Sequence, residues 1–413
     1  MLETCFAKQW VARRLRQSYL GAYLDSFAAA DTAAGYAGST VRTQLKLLWK
    51  FGRWLEQRRI RLSDLHEEHL KRFLAESSWK DPLRRGYGAT LQRFLDHLRE
   101  RGVAGSAKTS IDDSPAAHLL RQYETHLKQE RGLASVTGSR YVWLVSRFLR
   151  EQFGAGALRL DCLRPVDIED TVRRHAPSMT PKHVQLMGSA LRSFFRFLLQ
   201  RGDISSDLAA CVPTVANWRL ATLPKYLSAP EVNRVLKSCN RRTSVGRRDY
   251  AMLLLFARLG LRAGEVVALE LDDIDWRTGE LVVRGKGSVH DRLPLMQDVG
   301  EALAASLRDR PRTSSRSVFL RSRAPFREMR RASSASVIVH RALQRANLNP
   351  ALRGAHLLRH SLATDMIRRG ATMVEIAEVL RHRSPRTTEI YAKVDLAGLR
   401  TVAQPWPLKA GAR

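Results

Sequence analysis

Apolar residues at helical spacing recur in the first half of the chain at an offset of about one hundred residues, and this repetition constrains the fold more than any other feature. In the first copy Leu45, Leu48, Phe51 and Leu55 lie three and four apart, so they share one face of a helix, with Lys46, Lys50 and Arg53 between them. Leu62, Leu65, Leu70 and Phe73 predict a second helix. Leu91, Phe94, Leu95 and Leu98 predict a third, ending at Arg101-Gly102, where glycine suits a C-terminal cap. Val142, Val145 and Phe148 follow Leu45, Leu48 and Phe51 by 97 residues, and Leu163 and Ile168 follow Leu65 and Leu70 by 98. Leu191, Phe194, Leu198, Arg201 and Gly202 follow their counterparts by 100. Small loop insertions between two copies of one helical unit leave a drift of this kind. Residues 1–110 and 115–205 are therefore expected to be two all-α domains, with Gly102 to Ser114 as the linker.

The second half reads differently. Residues 203–227, broken by Ser205-Ser206, Pro213 and Pro224, are expected to be a second linker. Ser228-Ala229-Pro230-Glu231 has the pattern of a capping box with proline in the first turn, so a new domain starts there. Tyr250–Leu259 is a compact apolar helix closed by Gly260, and Arg262 and Glu265 follow at the spacing of a helical surface pair. Glu280–Arg284 and Arg292–Leu295 flank Gly285-Lys286-Gly287, which predicts a β-hairpin with a lysine at its turn. Val318-Phe319-Leu320 is strand-like inside an arginine-dense stretch, 308–331, expected to touch phosphates. The whole is thus multidomain: two helical domains, then a mixed α/β, mainly helical domain with a small antiparallel sheet.

Charge indicates the partner. Lys and Arg number 70 against 40 Asp and Glu, a formal net charge of +30. Such an excess repels itself unless it meets a polyanion, and nucleic acid is the polyanion whose affinity grows with each cation placed. No apolar run approaches the roughly 18–20 residues of a membrane span, and the N-terminus lacks a secretory pattern. Cys5, Cys162, Cys211 and Cys239 are scattered without a CxxC pair, which suits reduced thiols and a cytoplasmic location.

The chemistry-bearing residues concentrate between His356 and Tyr391. His356-Leu357-Leu358-Arg359-His360 lies in a helical pattern from Ala355 to Arg369, which places His356 and Arg359 on one face. His356 and His360 have the spacing of zinc ligands, but Leu357 stands where a metalloprotease needs glutamate, and an arginine between ligands repels a cation. No GxxxxGK[ST] occurs, so nucleotide hydrolysis has no support. Thr372-Met373-Val374-Glu375 caps the next helix, His382 follows its end, and Ser384-Pro385 opens a last helix carrying Tyr391. No cofactor and no metal are expected. A tyrosine hydroxyl is a weak nucleophile at neutral pH, and arginines that neutralise a phosphate would make its target reactive.

Together, Gly260-Leu261-Arg262-Ala263-Gly264-Glu265, Lys286, His356-Leu357-Leu358-Arg359-His360, Leu380-Arg381-His382 and Tyr391 resemble the catalytic domain of the tyrosine recombinases, the phage-integrase family. The resemblance covers about 228–400, and 115–205 is similar to the helical core-binding domain that precedes it in that family. It implies SAM-like helical front domains and a catalytic set of Arg262, Lys286, His356, Arg359, His382 and the nucleophile Tyr391. His360 is then left to a structural role. It implies cutting and rejoining of double-stranded DNA through a 3′-phosphotyrosine, without metal or ATP, by a site-specific recombinase, integrase or transposase. Self-association to a tetramer at synapsis, with accessory recombinases or directionality factors, is implied as well. The extra front domain, 1–110, resembles longer, transposon-associated members; 401–413 is a C-terminal tail that could pack on a neighbour. Arg381 departs from the family, which most often has glycine there. A topoisomerase-like nicking-closing enzyme and a non-catalytic DNA-binding regulator are the alternatives.

Overall fold

The structure is a computed structural model and describes residues 1–76, 86–105, 112–154, 156–216, 223–285, 290–329 and 331–403. Helices α1 (Leu2–Cys5), α2 (Gln9–Arg16), α3 (Gly21–Ala33), α4 (Gly38–Gln57), α5 (Glu67–Glu76) and α6 (Tyr87–Glu100) enclose one apolar core. Leu45, Leu48, Phe51 and Leu55 of α4 and Leu91, Phe94, Leu95 and Leu98 of α6 are all fully buried in it, as their period requires. Leu62 and Leu65 do not continue into α5. A single 3₁₀ turn, Leu62–Asp64, is followed by extended backbone at Leu65, and α5 starts only at Glu67. The spacing alone could not show that break, because a bend still leaves Leu65 and Leu70 facing the same core.

Helices α7 (Pro115–Gln129), α8 (Ser135–Phe153), α9 (Pro165–His175) and α10 (Pro181–Arg201) build a second core around Tyr123, Phe148, Phe194 and Phe195. Burial of each such aromatic contributes on the order of 2–3 kcal/mol. A 3₁₀ turn at Leu160–Cys162 precedes α9 as Leu62–Asp64 precedes α5, and the second domain adds another, Ala176–Ser178, between α9 and α10. Gly202 caps α10 at φ +79, a left-handed conformation that glycine adopts without strain. The expected linker begins later than its sequence suggests. Ile204, Leu208, Ala209 and Val212 are buried in this second core, held by irregular turns that carry no helical period. By compactness, Lys108–Ala221 forms one unit, and Met1–Ala107 groups with Thr222–Arg413.

The remaining elements are α11 (Ala229–Lys237), α12 (Ser244–Arg258), α13 (Ala263–Ala268), strands β1 (Ile274–Asp275), β2 (Glu280–Arg284) and β3 (His290–Pro294), α14 (Gln297–Arg308), α15 (Ala332–Arg345), α16 (Ala355–Arg368), α17 (Met373–Val379), α18 (Pro385–Ala392) and α19 (Leu396–Val402). Glu231 accepts from both the N–H and the hydroxyl of Ser228 at 2.8 Å, closing the N-terminus of α11. The sheet is antiparallel in the order β1-β2-β3, with Leu281 opposite Leu293. Val318–Leu320 makes no strand; Ser317 and Leu320 take part only in isolated bridges to Glu270 and Glu328. In the arginine-dense stretch, Arg310 donates to the carbonyls of Ser315 and Ser317 and Arg316 pairs with Asp272, so these two serve the fold. Tyr391 is not on the last helix, because α19 follows; Pro405-Trp406-Pro407 lies outside the described residues. No described helix is long and apolar enough to cross a membrane.

Candidate active site

Four short segments meet around Arg359. The turn after α12 is possible because Gly260 sits at φ +58. A β-carbon there would lie 2.6 Å from Leu380 and 3.1 Å from Leu362. This turn brings Arg262 to the mouth of α13, in extended backbone, and leaves the Gly260 carbonyl facing α16. Arg359 on α16 is 4% exposed, and its two terminal nitrogens donate to the carbonyls of Gly260 and Leu380. One guanidinium thus ties the α12–α13 turn to the end of α17. Planar, forked donors suit this bridging as they suit a phosphate.

Arg262 is held by a carboxylate that the sequence presents as a surface partner. Glu265 is 5% exposed at its side chain and accepts from the Arg262 backbone N–H at 2.8 Å and from its Nη1 at 2.6 Å. A second arginine reaches the same carboxylate: Arg381 Nη2 donates to Glu265 Oε2 at 2.8 Å. Arg262 Nη2 donates to the Arg381 carbonyl at 3.3 Å. Burial by itself would raise the Glu265 pKa, but the hydrogen bonds from Arg262 and the charge of Arg381 prevail and hold it below the usual carboxylate range.

Tyr391 projects from α18 into a small apolar cluster with Ala363, Ile367, Ile376 and Leu380, and is 1% exposed. Its hydroxyl lies 2.7 Å from Nδ1 of His360. The His382 ring stacks on the tyrosine ring at 6.4 Å between centroids and 2° between planes, and His382 Nδ1 is 2.8 Å from Thr388 Oγ1. Burial pushes the phenol up to about 12, against a smaller pull from Arg359. Burial also lowers His360 to about 4, helped by His356 and Arg359, and lowers His382 to about 4, helped by Arg359 and Arg262. At neutral pH the phenol therefore keeps its proton and both imidazoles are neutral. We assign the Tyr391 O–H as donor to the His360 Nδ1 lone pair. Arg359 is drawn down to about 10, chiefly by burial and then by the charges of Arg262 and Arg381.

Of the six residues singled out by sequence, Arg262, Arg359, His382 and Tyr391 are thereby gathered in one place. His356 is exposed in the first turn of α16, with its ring 6.4 Å from that of His360. Lys286 lies outside the described residues, beyond the end of β2. Three participants were underrated from sequence. His360 is in direct contact with the tyrosine hydroxyl rather than set apart as a structural residue. Glu265 is buried, and Arg381 is in contact with it. The only local signal for His360 was its place one residue after Arg359, on the helix that also carries His356. A groove of about 1160 Å³ runs past Arg262, His290, Asp291, Arg381, His382 and Thr387. The Arg262 and Arg381 guanidiniums and the His382 imidazole line this groove, with the buried phenol behind His382, and such groups can handle a phosphate ester.

Comparison with known proteins identifies a DNA strand-transferring enzyme of the tyrosine recombinase class. A profile of the phage integrase family matches residues 225–397. The chain is 44% identical over 94% of its length, and 95% of the relative's, to a protein described as a putative integrase/recombinase y4rA of Sinorhizobium fredii. It is 33% identical to the tyrosine recombinase XerC of Azotobacter vinelandii over 76% of this chain and 94% of that one. The chain belongs to the phage integrase family. Its fold is that of the XerH site-specific recombinase solved on a palindromic difH substrate after cleavage, with a TM-score of 0.54 at 20% identity over 82% of this chain and 96% of that one.

Proposed function

We propose that this protein is a site-specific recombinase or integrase, of the transposon-associated kind, that cuts and rejoins double-stranded DNA through a 3′-phosphotyrosine at Tyr391. The observation that carries the reading is the Tyr391 hydroxyl, held 2.7 Å from a neutral histidine and in the field of the buried Arg359, while His382, whose ring is parallel to the tyrosine's, lines the groove. Arg262 and Arg359 exchange carbonyl and carboxylate contacts for the non-bridging oxygens of the scissile phosphate and stabilise the extra charge of the transition state. His360 holds the hydroxyl beforehand, and His356 accepts its proton or assists the transfer as attack begins. His382 donates to the phosphate, and Lys286, by family resemblance, protonates the departing 5′ oxygen. The phosphorus–oxygen bond to the 5′ oxygen breaks as the bond to the tyrosine forms. One ester replaces another, so the energy of the link is conserved, and neither ATP nor a metal is needed for rejoining.

In this reading residues 1–110 and 115–205 are DNA-binding helical domains that clamp duplex DNA together with the catalytic domain, 228–400. The palindromic substrate of the XerH structure supports action by paired copies, and we extend this to a tetramer at synapsis, with accessory recombinases or directionality factors, in the cytoplasm. The test is a nicked suicide duplex built from the DNA that flanks the gene. Wild type is expected to leave a covalent protein–DNA band on a denaturing gel and Tyr391→Phe none. Equal bands from the two proteins would remove Tyr391 from its role.

A further inference from the structure

Arg381 stands out once the catalytic groups are assigned. Its φ is +53, in the left-handed region that favours glycine, yet a long charged side chain occupies the position. That side chain is only 7% exposed. Nη2 is anchored on Glu265 at 2.8 Å. The nearest carboxylate to Nε is Asp291, at 3.6 Å, beyond hydrogen-bond reach. Nε and Nη1 are buried and have no hydrogen-bond partner. A buried donor without an acceptor is costly, and buried arginines are ordinarily saturated, so two open N–H sites on one guanidinium call for a ligand.

The surroundings say which ligand. Arg381 lines the groove beside Arg262, His290 and His382. Arg262 and Arg381 meet two carboxylates, Glu265 and Asp291, while Arg359 is bound only by carbonyls and so keeps its positive charge uncompensated. A single negative charge with paired oxygens, which is a phosphodiester, matches both the charge and the forked donors. Arg381 is also fixed as few surface arginines are: Glu265 holds one nitrogen, and its own carbonyl accepts from Arg262. It is preorganised, so little side-chain freedom is lost on binding.

We propose that Arg381 is a third phosphate-binding guanidinium, whose Nε–H and Nη1–H donate to a DNA phosphate in the groove while Nη2 stays on Glu265. The proposal rests on the reading of this site as a phosphate-handling one. It predicts that the residue works in DNA binding, where a glycine would fit the backbone better.

The test measures affinity for a short duplex of the flanking DNA across a salt series, for wild type, Arg381→Gly and Arg381→Gln. Each phosphate contact adds about 0.9 to the slope of log affinity against log salt. Both variants are expected to lose about one such unit. Over a roughly fourfold rise in salt, wild type then loses about 3.5 times more affinity than either variant. Glycine relieves the backbone and glutamine keeps a donor for Glu265, so at least one variant is expected to fold, which circular dichroism checks. Wild-type slopes in a folded variant overturn the proposal. Wild type that forms no adduct on the suicide duplex sinks the functional reading instead, while the salt slope still decides on Arg381.

Discussion

Replacing Gly260 by alanine tests whether the Arg359 anchor is as tightly built as its geometry implies. Two costs add. An L-residue at φ +58 is strained by about 1–2 kcal/mol. The new β-carbon would also sit 2.6 Å from the Leu380 side chain, which is fully buried, and such overpacking costs about 1–3 kcal/mol. The sum is about 2–4 kcal/mol after partial relaxation. Leu380 is not a neutral neighbour, since its carbonyl and that of Gly260 are the two acceptors of Arg359. Gly260→Ala is therefore expected to displace both anchors together and to slow single-turnover cleavage of the suicide duplex at least tenfold. Gly370→Ala is the control: φ is +90, but nothing lies within 4 Å of the new carbon, so it bears the backbone strain alone. Urea unfolding of the two variants isolates the steric part. A Gly260→Ala protein within about 0.5 kcal/mol of Gly370→Ala, or one that cleaves at the wild-type rate, would refute the reasoning.

Two further outcomes are expected. His360 is held near 4 in the folded protein against about 6.5 when unfolded, so the unfolded chain binds the extra proton between these values. The stabilising contribution is fully present above pH about 6.5 and is lost as pH falls towards 4, on the order of 3 kcal/mol. The stability difference between wild type and His360→Gln, measured by urea unfolding at neutral and acid pH, is expected to shrink by that amount; a constant difference would show that His360 is not buried neutral. Glu265→Gln removes the carboxylate between Arg262 and Arg381 and leaves a buried guanidinium without its counter-charge, at a cost of about 3–5 kcal/mol in the same assay. A loss below about 1 kcal/mol would mean that solvent already screens the pair.

Much of the helical framework was legible because helical period is a local property. Leu45, Leu48, Phe51 and Leu55 repeat every three or four residues and bury one face whatever they pack against. The same logic failed where apolar residues are buried without a period, as at Ile204, Leu208 and Val212, read as linker and found in a core. It failed also at Val318–Leu320, whose branched and aromatic residues look like a strand, whereas Val318 and Phe319 fill the catalytic core from a loop.

The site divides along the same line. Residue types and order along the chain carried the resemblance that implied Arg262, Lys286, His356, Arg359, His382 and Tyr391, a set of cations and a nucleophile such as phosphate chemistry needs. Pairings were a different matter. Arg359 meets Gly260 across 99 residues, Arg381 meets Glu265 across 116 and His360 meets Tyr391 across 31. No local pattern encodes such contacts, since they exist only after separate helices have packed. The sequence by itself determined which side chains could act on a phosphate. Tertiary structure decided which of them lose their water, and so which histidine is neutral, which arginine is anchored and which hydroxyl is held in reserve.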